Sequence, residues 1–406
     1  MKAFTHFAFL IIIFIISACS TPQRQDRVPY YDTSEPYALA YTTEPAPEWT
    51  NLFYRKSGWF GGDGIFSVAL NGVDKQGTAV NQKTLLWFGD TYIGEVNEEG
   101  VPLPGNVMVN NTVAYFEGIE PLASNIQFQW KKSPEGDPET FFVPDNANSK
   151  PDQYYWLGDG FINQELNNRF YAFAYHVEMT GPNVFDFRLP NVSILAIDNA
   201  SSPPFEGYRQ IPSPFHFKNE NVGEGDLGAG ILVNTEGAGA PFPDGYVYVY
   251  GCIGENKSLV AARVKPADFE NFEQWRYWNG SEWSENITSL GEIANAASNE
   301  LSVTPLQDGR YILVFQVLGV SDKVGIRIGT SPVGPFGPIE EIWTTPEVND
   351  PPGLLPYNAK AHPHLSKPGE LLISYNTITF DFWNDIQKDA HIYRPRFIKL
   401  KSETLN

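Results

Sequence analysis

GGDGIFSVAL, residues 61–70, places one carboxylate among three glycines directly ahead of an apolar run. Similar heads, made of small residues around one polar residue, return later in the chain as LGDGFI (157–162), GDLGAGIL (225–232), NAASNELSVTPL (295–306) and NAKAHPHLSKPG (358–369). A pattern that recurs at intervals of tens of residues is typical of an array of similar structural units. The heads therefore predict five such units.

The segments between the heads predict short β-strands. Alternating or β-branched runs bounded by Gly, Pro, Asn or Asp recur throughout, and helical periodicity is nearly absent. The runs are IFSVAL (65–70), TLLWFGD (84–90), NTVAYF (111–116), RFYAFAY (169–175), VSILAI (192–197), GILVN (230–234), YVYVYG (246–251), LVAARV (259–264), YILVFQV (311–317), VGIRIGT (324–330) and ELLISYN (370–376). Sandwiches, barrels and propellers are all built from strands at this spacing.

The repeat favours a propeller among these all-β architectures. The innermost strand of each blade lines a crowded axis, where small residues are needed. We therefore predict an all-β fold, a five-bladed β-propeller with about four antiparallel strands per blade. The segment from Tyr37 to Tyr54 is expected to complete the last blade beside YRPRFIKL (393–400) and so close the ring.

The first residues indicate export and lipidation. One Lys, an apolar stretch from Phe7 to Ile16 and small residues after it are typical of a signal peptide. The sequence ISAC, ending at Cys19, matches a bacterial lipobox, which predicts a signal peptide over residues 1–18 and a lipid on Cys19. An uncleaved membrane helix is the alternative, but the stretch is shorter than the ~20 residues that a span needs.

The lipobox also predicts the domain organisation and location. Residues 19–36, polar and containing Pro, are expected to form a flexible tether, with one propeller domain over 37–406. Ser20 after the lipidated Cys does not signal retention at the inner membrane, so we expect anchoring at the bacterial outer membrane. The periplasmic and the external face of that membrane both stay open as sites of the anchor. Cys252 then has no partner, which excludes a disulfide framework.

The formal net charge of -20 limits the classes of partner. It argues against nucleic acid, whose phosphates would be repelled, and against adhesion to anionic lipid. Neutral glycans stay compatible with this charge. We expect a monomer that binds a polysaccharide or oligosaccharide and meets the membrane through its lipid anchor only.

If each head begins an innermost strand, its polar residue enters one mouth of the axial funnel. Asp63, Asp159, Asp226, Glu300 and His362 would then converge. Several acids in one pocket raise at least one pKa, which suits a general acid opposite an ionised base or nucleophile, as glycoside hydrolysis requires. The alternative is that each Asp is a turn residue that caps backbone amides. For Asp63, Asp159 and Glu300 together we favour the shared site.

Other residues near the heads are candidates for contacts with a substrate. Asp90 ends the run TLLWFGD and is either a turn residue or an acceptor for a substrate hydroxyl near Asp63. Glu224 and Asp226 compete with Glu300 for the role of the acid. His362 is expected to bond the substrate or to tune a carboxylate rather than to hold a metal.

Aromatic residues are dense near the heads, and most of them must be core. Trp59 and Tyr92 are expected in loops, where their rings could stack on a sugar. Tyr357 and Asn111, the latter in MVNNTVAYF, are further candidates for substrate binding.

The sequence contains little that indicates a nucleotide or metal site. There is neither a Walker motif nor a dinucleotide fingerprint. DNANSKPDQ (145–153) has oxygen ligands at alternate positions without the spacing of an EF-hand, so a structural calcium ion is left open there. No other cofactor or metal is expected.

Several of these segments together resemble known bacterial families. Seven segments between Trp59 and Phe397 resemble the families catalogued as domains of unknown function 4185 and 5005. These segments are GGDGIFSVAL, LLWFGDTYIG, MVNNTVAYF, SNELSV, SPVGPFGP, YNAKAHPHLS and YRPRF. These families are similar in architecture to the five-bladed propeller glycoside hydrolases, which include arabinanases, arabinofuranosidases and fructan-cleaving enzymes. Members of the 4185 group are implicated in the endo-cleavage of D-arabinan.

The resemblance implies glycosidase activity and roles for individual residues. It implies a base or nucleophile at Asp63 and a carboxylate at Asp159 that orients the substrate or tunes a pKa. In those enzymes the acid is usually a Glu on blade three, whereas the clearer Glu here, Glu300, falls on blade four. Glu224 is therefore kept as the reserve.

The sequence thus predicts a lipid-anchored glycoside hydrolase for a furanose-containing, arabinan-like polysaccharide, with Asp63 and Glu300 as the pair and Asp159 as helper. The alternative is a surface lipoprotein that binds glycans without cleaving them. A polysaccharide lyase is a third option, against which the scarcity of basic residues near the heads counts.

Overall fold

The computed structural model describes Met1 and residues 28–219, 223–349 and 353–405, and β-strands dominate this part of the chain. In chain order the strands are β1 (Thr42–Pro45), β2 (Ser57–Gly62), β3 (Phe66–Ala69), β4 (Lys83–Phe88), β5 (Thr91–Glu95), β6 (Val107–Val109), β7 (Thr112–Glu117), β8 (Ile126–Gln129), β9 (Lys131–Lys132), β10 (Pro138–Glu139), β11 (Tyr154–Asn163), β12 (Arg169–Met179), β13 (Phe187–Ile197), β14 (Arg209–Pro212), β15 (His216–Asn219), β16 (Gly223–Asn234), β17 (Tyr246–Ile253), β18 (Ser258–Val264), β19 (Arg276–Trp278), β20 (Trp283–Ser284), β21 (Leu301–Pro305), β22 (Tyr311–Gln316), β23 (Lys323–Gly329), β24 (Glu340–Thr344), β25 (Leu355–Ala361), β26 (Glu370–Ile378) and β27 (Arg396–Lys401). The prediction of an all-β fold is confirmed.

Helical structure in the described ranges is short. Two α-helices, α1 (Pro47–Thr50) and α2 (Phe382–Asp385), each cover about one turn. The 3-10 turns are Asn51–Phe53, Thr78–Asn81, Ala123–Asn125, Gln164–Leu166, Pro266–Asp268, Phe272–Gln274, Ile287–Ser289, Pro346–Asn349, Pro363–Leu365, Ala390–Ile392 and Glu403–Leu405. None of the helices described here has the length and apolar character of a bilayer span.

The strands form antiparallel sheets that follow one another along the chain. Their strand orders are β3-β4-β7-β8 (sheet 1), β11-β12-β13-β14 (sheet 2), β15-β16-β17-β18-β19-β20 (sheet 3), β21-β22-β23-β24 (sheet 4) and β25-β26-β27-β1 (sheet 5). A three-stranded sheet, β2-β5-β6, is called here the side sheet, and β9 and β10 form a separate pair. Each run predicted from the sequence as a strand coincides with a strand of sheets 1 to 5 to within a few residues.

The N-terminal strand belongs to the last sheet. β1 pairs antiparallel with β27, with Thr42 opposite Lys401 and Pro45 opposite Ile398. The prediction that the segment from Tyr37 to Tyr54 lies beside the C-terminal strand is confirmed. The two ends of the domain are thus joined through one ladder of backbone hydrogen bonds.

The end of the predicted tether contacts the domain. Tyr30 donates its backbone N–H to the carbonyl oxygen of Asp308 over 3.0 Å, and the Arg310 guanidinium donates to the carbonyl oxygen of Pro36 over 3.2 Å. Both partners lie in the turn between β21 and β22 of sheet 4. Residues 2–27, with the signal peptide after Met1, Cys19 and the first part of the tether, lie outside the described residues.

The side sheet corrects one expectation from the sequence. Trp59 lies in β2 and Tyr92 in β5, and these two strands pair antiparallel, so the prediction that both residues lie in loops is wrong. Glycines in SGWFGG and TYIGE weaken the strand signal. The two segments pair with each other nevertheless, because doing so buries both aromatic rings.

Hydrophobic cores fill the spaces between consecutive sheets. Each core contains residues from both of its sheets. Examples are Trp87 with Phe170 between sheets 1 and 2, Phe173 with Val249 between sheets 2 and 3, Leu259 with Leu313 between sheets 3 and 4, Val314 with Ile373 between sheets 4 and 5, and Leu86 with Phe397 between sheets 5 and 1. A central strand is therefore buried on both faces, which explains why a run such as YILVFQ (311–316) is apolar almost throughout.

Bulges interrupt the first strand of sheets 2 and 5 and the corresponding strand β16 of sheet 3. The register shifts lie between Leu157 and Gly160, between Tyr357 and Lys360, and between Leu227 and Gly230. A bulge re-aims the side chains at its position. The strands approach closely here, because a Cβ on Gly158 would lie 2.7 Å from the carbonyl oxygen of Gly228. The small residues of the heads are required by this packing.

Candidate active site

Glu300 lies at the head of sheet 4, directly before β21, and reaches two residues of sheet 5. Its carboxylate forms an ion pair with the ammonium group of Lys360 and accepts a hydrogen bond from Asn358 Nδ2 over 2.7 Å. A Cβ on Gly64 would lie 3.1 Å from Glu300 Oε1. Since Gly64 has a φ of +61°, glycine suits the position both sterically and in its backbone conformation. Glu300 therefore lies against the residue that follows Asp63.

Asp63 lies between β2 and β3 and is partly exposed. Its Oδ1 accepts hydrogen bonds from the Tyr357 hydroxyl over 2.6 Å and from the Gly64 backbone N–H over 2.8 Å. Within the described residues, Oδ2 has no hydrogen-bond partner. Burial raises the pKa of Asp63, and the two hydrogen bonds and the charge of Lys360 oppose that rise.

Asp90 lies beside Asp63, because the Asp63 backbone N–H donates to the Asp90 carbonyl oxygen over 2.9 Å. Its two carboxyl oxygens accept hydrogen bonds of 3.0 Å each, one from Asn110 Nδ2 and one from the indole N–H of Trp156 in sheet 2. Burial raises the pKa of Asp90 to about 7 against these bonds, and the charge of Asp63 adds to the rise.

Asp159 lies within the bulge of β11 and bridges sheets 2 and 3. Its oxygens accept from the backbone N–H groups of Gly160 over 2.8 Å and of Ile231 over 2.7 Å. Burial raises the pKa of Asp159 to about 7, whereas the charge of Lys360 and the backbone hydrogen bonds lower it.

Lys360 links these groups, and sequence analysis missed it. It lies on β25 with 3% of its side chain exposed, and its ammonium group lies over the ring of Phe66. Burial lowers the pKa of Lys360, while the carboxylates of Asp159 and Asp63 raise it in part. One feature of the sequence could have indicated it. In the head segment YNAKAHPHLS a Lys stands between two alanines, and an innermost strand has neighbours on both faces, so a Lys side chain there is not directed to solvent.

Asp63, Asp90, Asp159 and Glu300 are called here the carboxylate cluster. Four ionised carboxylates would outnumber the ammonium group of Lys360, so protons are retained: Asp90 and Asp159 titrate near pH 7. Glu300 has its charge neutralised directly by the ion pair. The cluster therefore offers an ionised carboxylate and protonated carboxyl groups side by side, which general acid–base chemistry needs.

Asp226 and Glu224 lie apart from this ion pair. Asp226 precedes the bulge of β16 instead of lying within it, and pairs with His216 Nδ1 on β15 over 2.9 Å. Burial raises the pKa of Asp226, and the hydrogen bond from His216 opposes the rise. Glu224 has 57% of its side chain exposed and lies 3.4 Å from His216 Nε2. The structure thus groups these two acids around His216.

The remaining predicted site residues differ in their surroundings. Tyr357 joins the carboxylate cluster through Asp63. His362 is buried between the hydroxyls of Ser67, 2.6 Å from Nδ1, and Ser374, 2.8 Å from Nε2. Asn111 is buried and exchanges two hydrogen bonds with the backbone of Phe142. Trp59 is also buried, with its ring stacked on Phe128 at 4.6 Å.

The segment considered for calcium has its own hydrogen bonds. Asn146 Nδ2 lies 3.0 Å from the hydroxyls of both Tyr155 and Ser193. Among the residues that the structure describes, no group of three or more His, Cys, Asp or Glu side chains is arranged to hold a metal ion.

Comparisons with known proteins confirm the resemblance to one family. The model of a domain of unknown function, DUF5005, matches residues 47–402. No curated protein matches the chain.

Three solved structures are similar to the chain over most of its length, and the first of them shares its fold. A Bacteroides ovatus protein provisionally assigned as a hydrolase has a TM-score of 0.66 at 21% identity, covering 93% of this chain and 97% of its own. A GH43_1 enzyme from Xanthomonas citri, solved with xylose, has a TM-score of 0.44 at 11% identity, covering 87% and 92%. An α-L-arabinofuranosidase from Clostridium thermocellum has 0.41 at 13% identity, covering 77% and 81%.

Proposed function

The chain belongs to the DUF5005 family, and from the chemistry of its site we propose that it is a glycoside hydrolase. The observation that carries this proposal is the carboxylate cluster, in which one acid is ion-paired with a buried lysine while its neighbours retain protons near neutral pH. Hydrolysis of a glycosidic bond requires such a division between an ionised and a protonated carboxyl group. A furanose-containing, arabinan-like substrate is proposed from the family resemblance.

We also propose that sheets 1 to 5 are the blades of a five-bladed propeller. Support comes from the hydrophobic cores, one between each pair of consecutive sheets and one between sheet 5 and sheet 1. The carboxylate cluster would then lie where the innermost strands converge at one mouth of the axis. Clefts of this kind are preferred sites for ligands.

The surroundings of the two proposed catalytic residues favour one assignment of roles. Glu300, paired with Lys360 and bonded to Asn358, is stabilised as the ionised group and serves as base or nucleophile. Asp63 has a raised pKa and one oxygen without a hydrogen bond, so it serves as the acid that protonates the leaving oxygen. These roles are the reverse of those that the resemblance implied.

Two further acids support the pair. Asp159, close enough to Lys360 for the two charges to interact, shares its positive charge with Glu300. The charge of Asp63 adds to the raised pKa of Asp90, so Asp90 holds a proton beside it. Anchoring to the outer membrane through Cys19 remains part of the proposal, at either the periplasmic or the external face.

The test is product release from arabinans, fructans and galactans by the wild-type chain and by Asp63→Asn and Glu300→Gln. Each change replaces a carboxyl group by an amide of nearly the same volume, which can neither give nor take up the proton, and we expect a loss of at least about 100-fold in kcat for either variant. Asp244→Asn is the matched control, because Asp244 lies in the turn at the opposite end of sheet 3 from Asp226. Thermal melting verifies that each variant folds.

Two outcomes would contradict the hydrolase proposal. One is full activity in a folded Asp63→Asn variant. The other is a wild-type chain that binds a glycan and releases no product, which would favour the glycan-binding alternative.

A further inference from the structure

Two loops expose large aromatic side chains next to the carboxylate cluster. Phe185 lies in the loop between β12 and β13, and Phe380 and Trp383 lie after β26, the latter in α2. Their exposed fractions are 47%, 75% and 40%. The rings of Phe185 and Phe380 meet at 6.0 Å, edge to face, so the loops from sheets 2 and 5 touch. These three residues are called here the aromatic rim.

The aromatic rim is joined to Asp63 by a short chain of packed side chains. Phe382, between Phe380 and Trp383, is buried against the ring of Tyr393 at 4.6 Å. Tyr393 and Tyr357 belong to the same hydrophobic core, and Tyr357 donates to Asp63 over 2.6 Å. The rim is therefore held at a fixed distance from the carboxyl group that we assign as the acid.

The other loop is anchored to the same core. Val184, next to Phe185, packs against the cluster that contains Tyr357, Phe382 and Tyr393. Each loop thus has one residue, Phe382 or Val184, that packs against this core and fixes the loop next to its exposed aromatic side chains. Rings that a folded chain leaves exposed in contact with one another mark an interaction surface more often than scattered single residues do.

We propose that the aromatic rim binds sugar rings of the substrate chain beyond the bond that is cleaved; this rests on the proposed function. Aromatic faces offer large rigid apolar area, which suits the apolar faces of sugar rings. The rim is joined to Asp63 through Phe382, Tyr393 and Tyr357, so we expect a chain seated at Asp63 to extend toward it. The net charge of -20 favours a neutral occupant of this surface over an anionic one.

Polar groups flank the rings as a glycan site requires. Asp186 accepts from Asn183 Nδ2 over 2.8 Å, and Asp381 accepts from Asn384 Nδ2 over 2.7 Å. All four of these residues lie in the two loops and retain further capacity to bond hydroxyl groups. The rim therefore combines stacking area with hydrogen-bonding groups, and it predicts a preference for longer substrates.

The test measures binding and cleavage of arabino-oligosaccharides of two to eight sugars by the full chain. Binding is measured by calorimetry in the Asp63→Asn background, where the oligosaccharide stays intact. With Phe380→Ala and Trp383→Ala added, we expect Kd for the longest oligosaccharide to rise about tenfold, and Kd for the disaccharide to stay unchanged. In the otherwise wild-type chain the same pair should raise KM for long substrates with little change in kcat.

Val80→Ala with Leu122→Ala is the matched control. Both residues are exposed apolar side chains, at 50% and 57%, and lie near the end of sheet 1 remote from Asp90. Because all four substituted residues are exposed, thermal melting should show little change in either double variant.

The outcomes separate this inference from the hydrolase proposal. If the rim variant loses binding of long oligosaccharides only, and the wild type cleaves none of them, the rim proposal is supported and the hydrolase proposal is overturned. An unchanged dependence on length in the rim variant would overturn the rim, whether or not the wild type cleaves. Binding of no oligosaccharide, or loss of self-association or of vesicle binding with unchanged glycan affinity, would likewise overturn it.

Discussion

Lys360 determines the charge state of the carboxylate cluster, because its ammonium group contacts Glu300 and interacts with Asp159 and Asp63. Both members of the ion pair are largely removed from water, with 3% and 15% of their side chains exposed. A buried charge whose partner is removed is strongly destabilising, whereas removing both partners costs much less.

Lys360→Met should therefore lower the free energy of unfolding by about 3–5 kcal/mol, since Glu300 is left without its counter-charge. Adding Glu300→Gln to this variant should restore part of the loss. Urea unfolding of the wild type, both single variants and the double variant measures the coupling between the two residues. Equal stability of Lys360→Met and the wild type would contradict the buried ion pair.

Asp90 predicts a dependence of stability on pH. Its folded pKa of about 7 lies above the unfolded value of 3.8, so the folded protein binds the proton more tightly. The resulting stabilisation is fully present below the unfolded pKa and is lost as the pH rises through about 7. Asp90→Asn, which keeps a neutral side chain at all pH values, should remove this dependence.

Urea unfolding of Asp90→Asn and the wild type at pH 5 and pH 8 tests the point. At pH 8 the variant should gain about 3 kcal/mol relative to the wild type, compared with its difference at pH 5, because the folded pKa lies about two units above pH 5. The sign follows because only the wild type must bury a charge at the higher pH. The same difference at both pH values would show that Asp90 is not protonated in the folded state.

Sequence analysis identified Asp63, Asp159 and Glu300 and missed Lys360. The difference arises because the carboxylates are marked by their immediate neighbours in the sequence, whereas the role of Lys360 depends on a residue far away in the sequence. Each carboxylate follows a recognisable head, so its position along the chain can be read locally. Lys360 meets Glu300 across sixty residues, from one sheet to the next. The alanines beside Lys360 could indicate that it is buried, but they do not identify Glu300 as its partner, because that residue lies in another sheet.

At the scale of elements, the bulges decide which acids enter the carboxylate cluster. The heads LGDGFI and GDLGAGIL look alike, yet Asp159 lies inside its bulge and Asp226 precedes its own. Strands are predictable because apolar alternation is a local property. A register shift depends on which glycine meets the neighbouring sheet, and the sequence of one strand does not contain that information.

Gly158→Ala tests this dependence on close packing. An added Cβ would lie 2.7 Å from the carbonyl oxygen of Gly228 and 2.9 Å from the ring of Tyr175. Neither neighbour can move easily, so we expect the free energy of unfolding to fall by about 1–3 kcal/mol. Since Asp159 follows directly, activity should fall as well.

Gly136→Ala is the control for the glycine substitution, because its Cβ would meet nothing within 4 Å while its φ is +98°. It reports the cost of backbone strain in a turn, about 1 kcal/mol, without crowding. Chemical unfolding gives both costs. A smaller effect at Gly158 than at Gly136 would contradict the close approach of sheets 2 and 3.

At the scale of the whole molecule, the ladder between β1 and β27 joins the first and last parts of the domain. Without β1, the backbone groups of β27 would form an open sheet edge, and open edges promote association between chains. Thr43 adds a link to the neighbouring sheet, since its hydroxyl donates to the carbonyl oxygen of Ile342 over 2.9 Å. The ends of the chain thus contribute to stability although they lie far from the carboxylate cluster.

A chain that begins at residue 47 should therefore melt at least about 5 °C below a chain that begins at residue 41. Both lack the contacts of Tyr30 and Pro36 with sheet 4, so the comparison isolates β1. Circular dichroism gives the melting temperatures, and size-exclusion chromatography should show oligomers of the shorter chain only. Identical melting and a monomeric shorter chain would mean that β27 needs no partner, and the five sheets would then close through their hydrophobic cores alone.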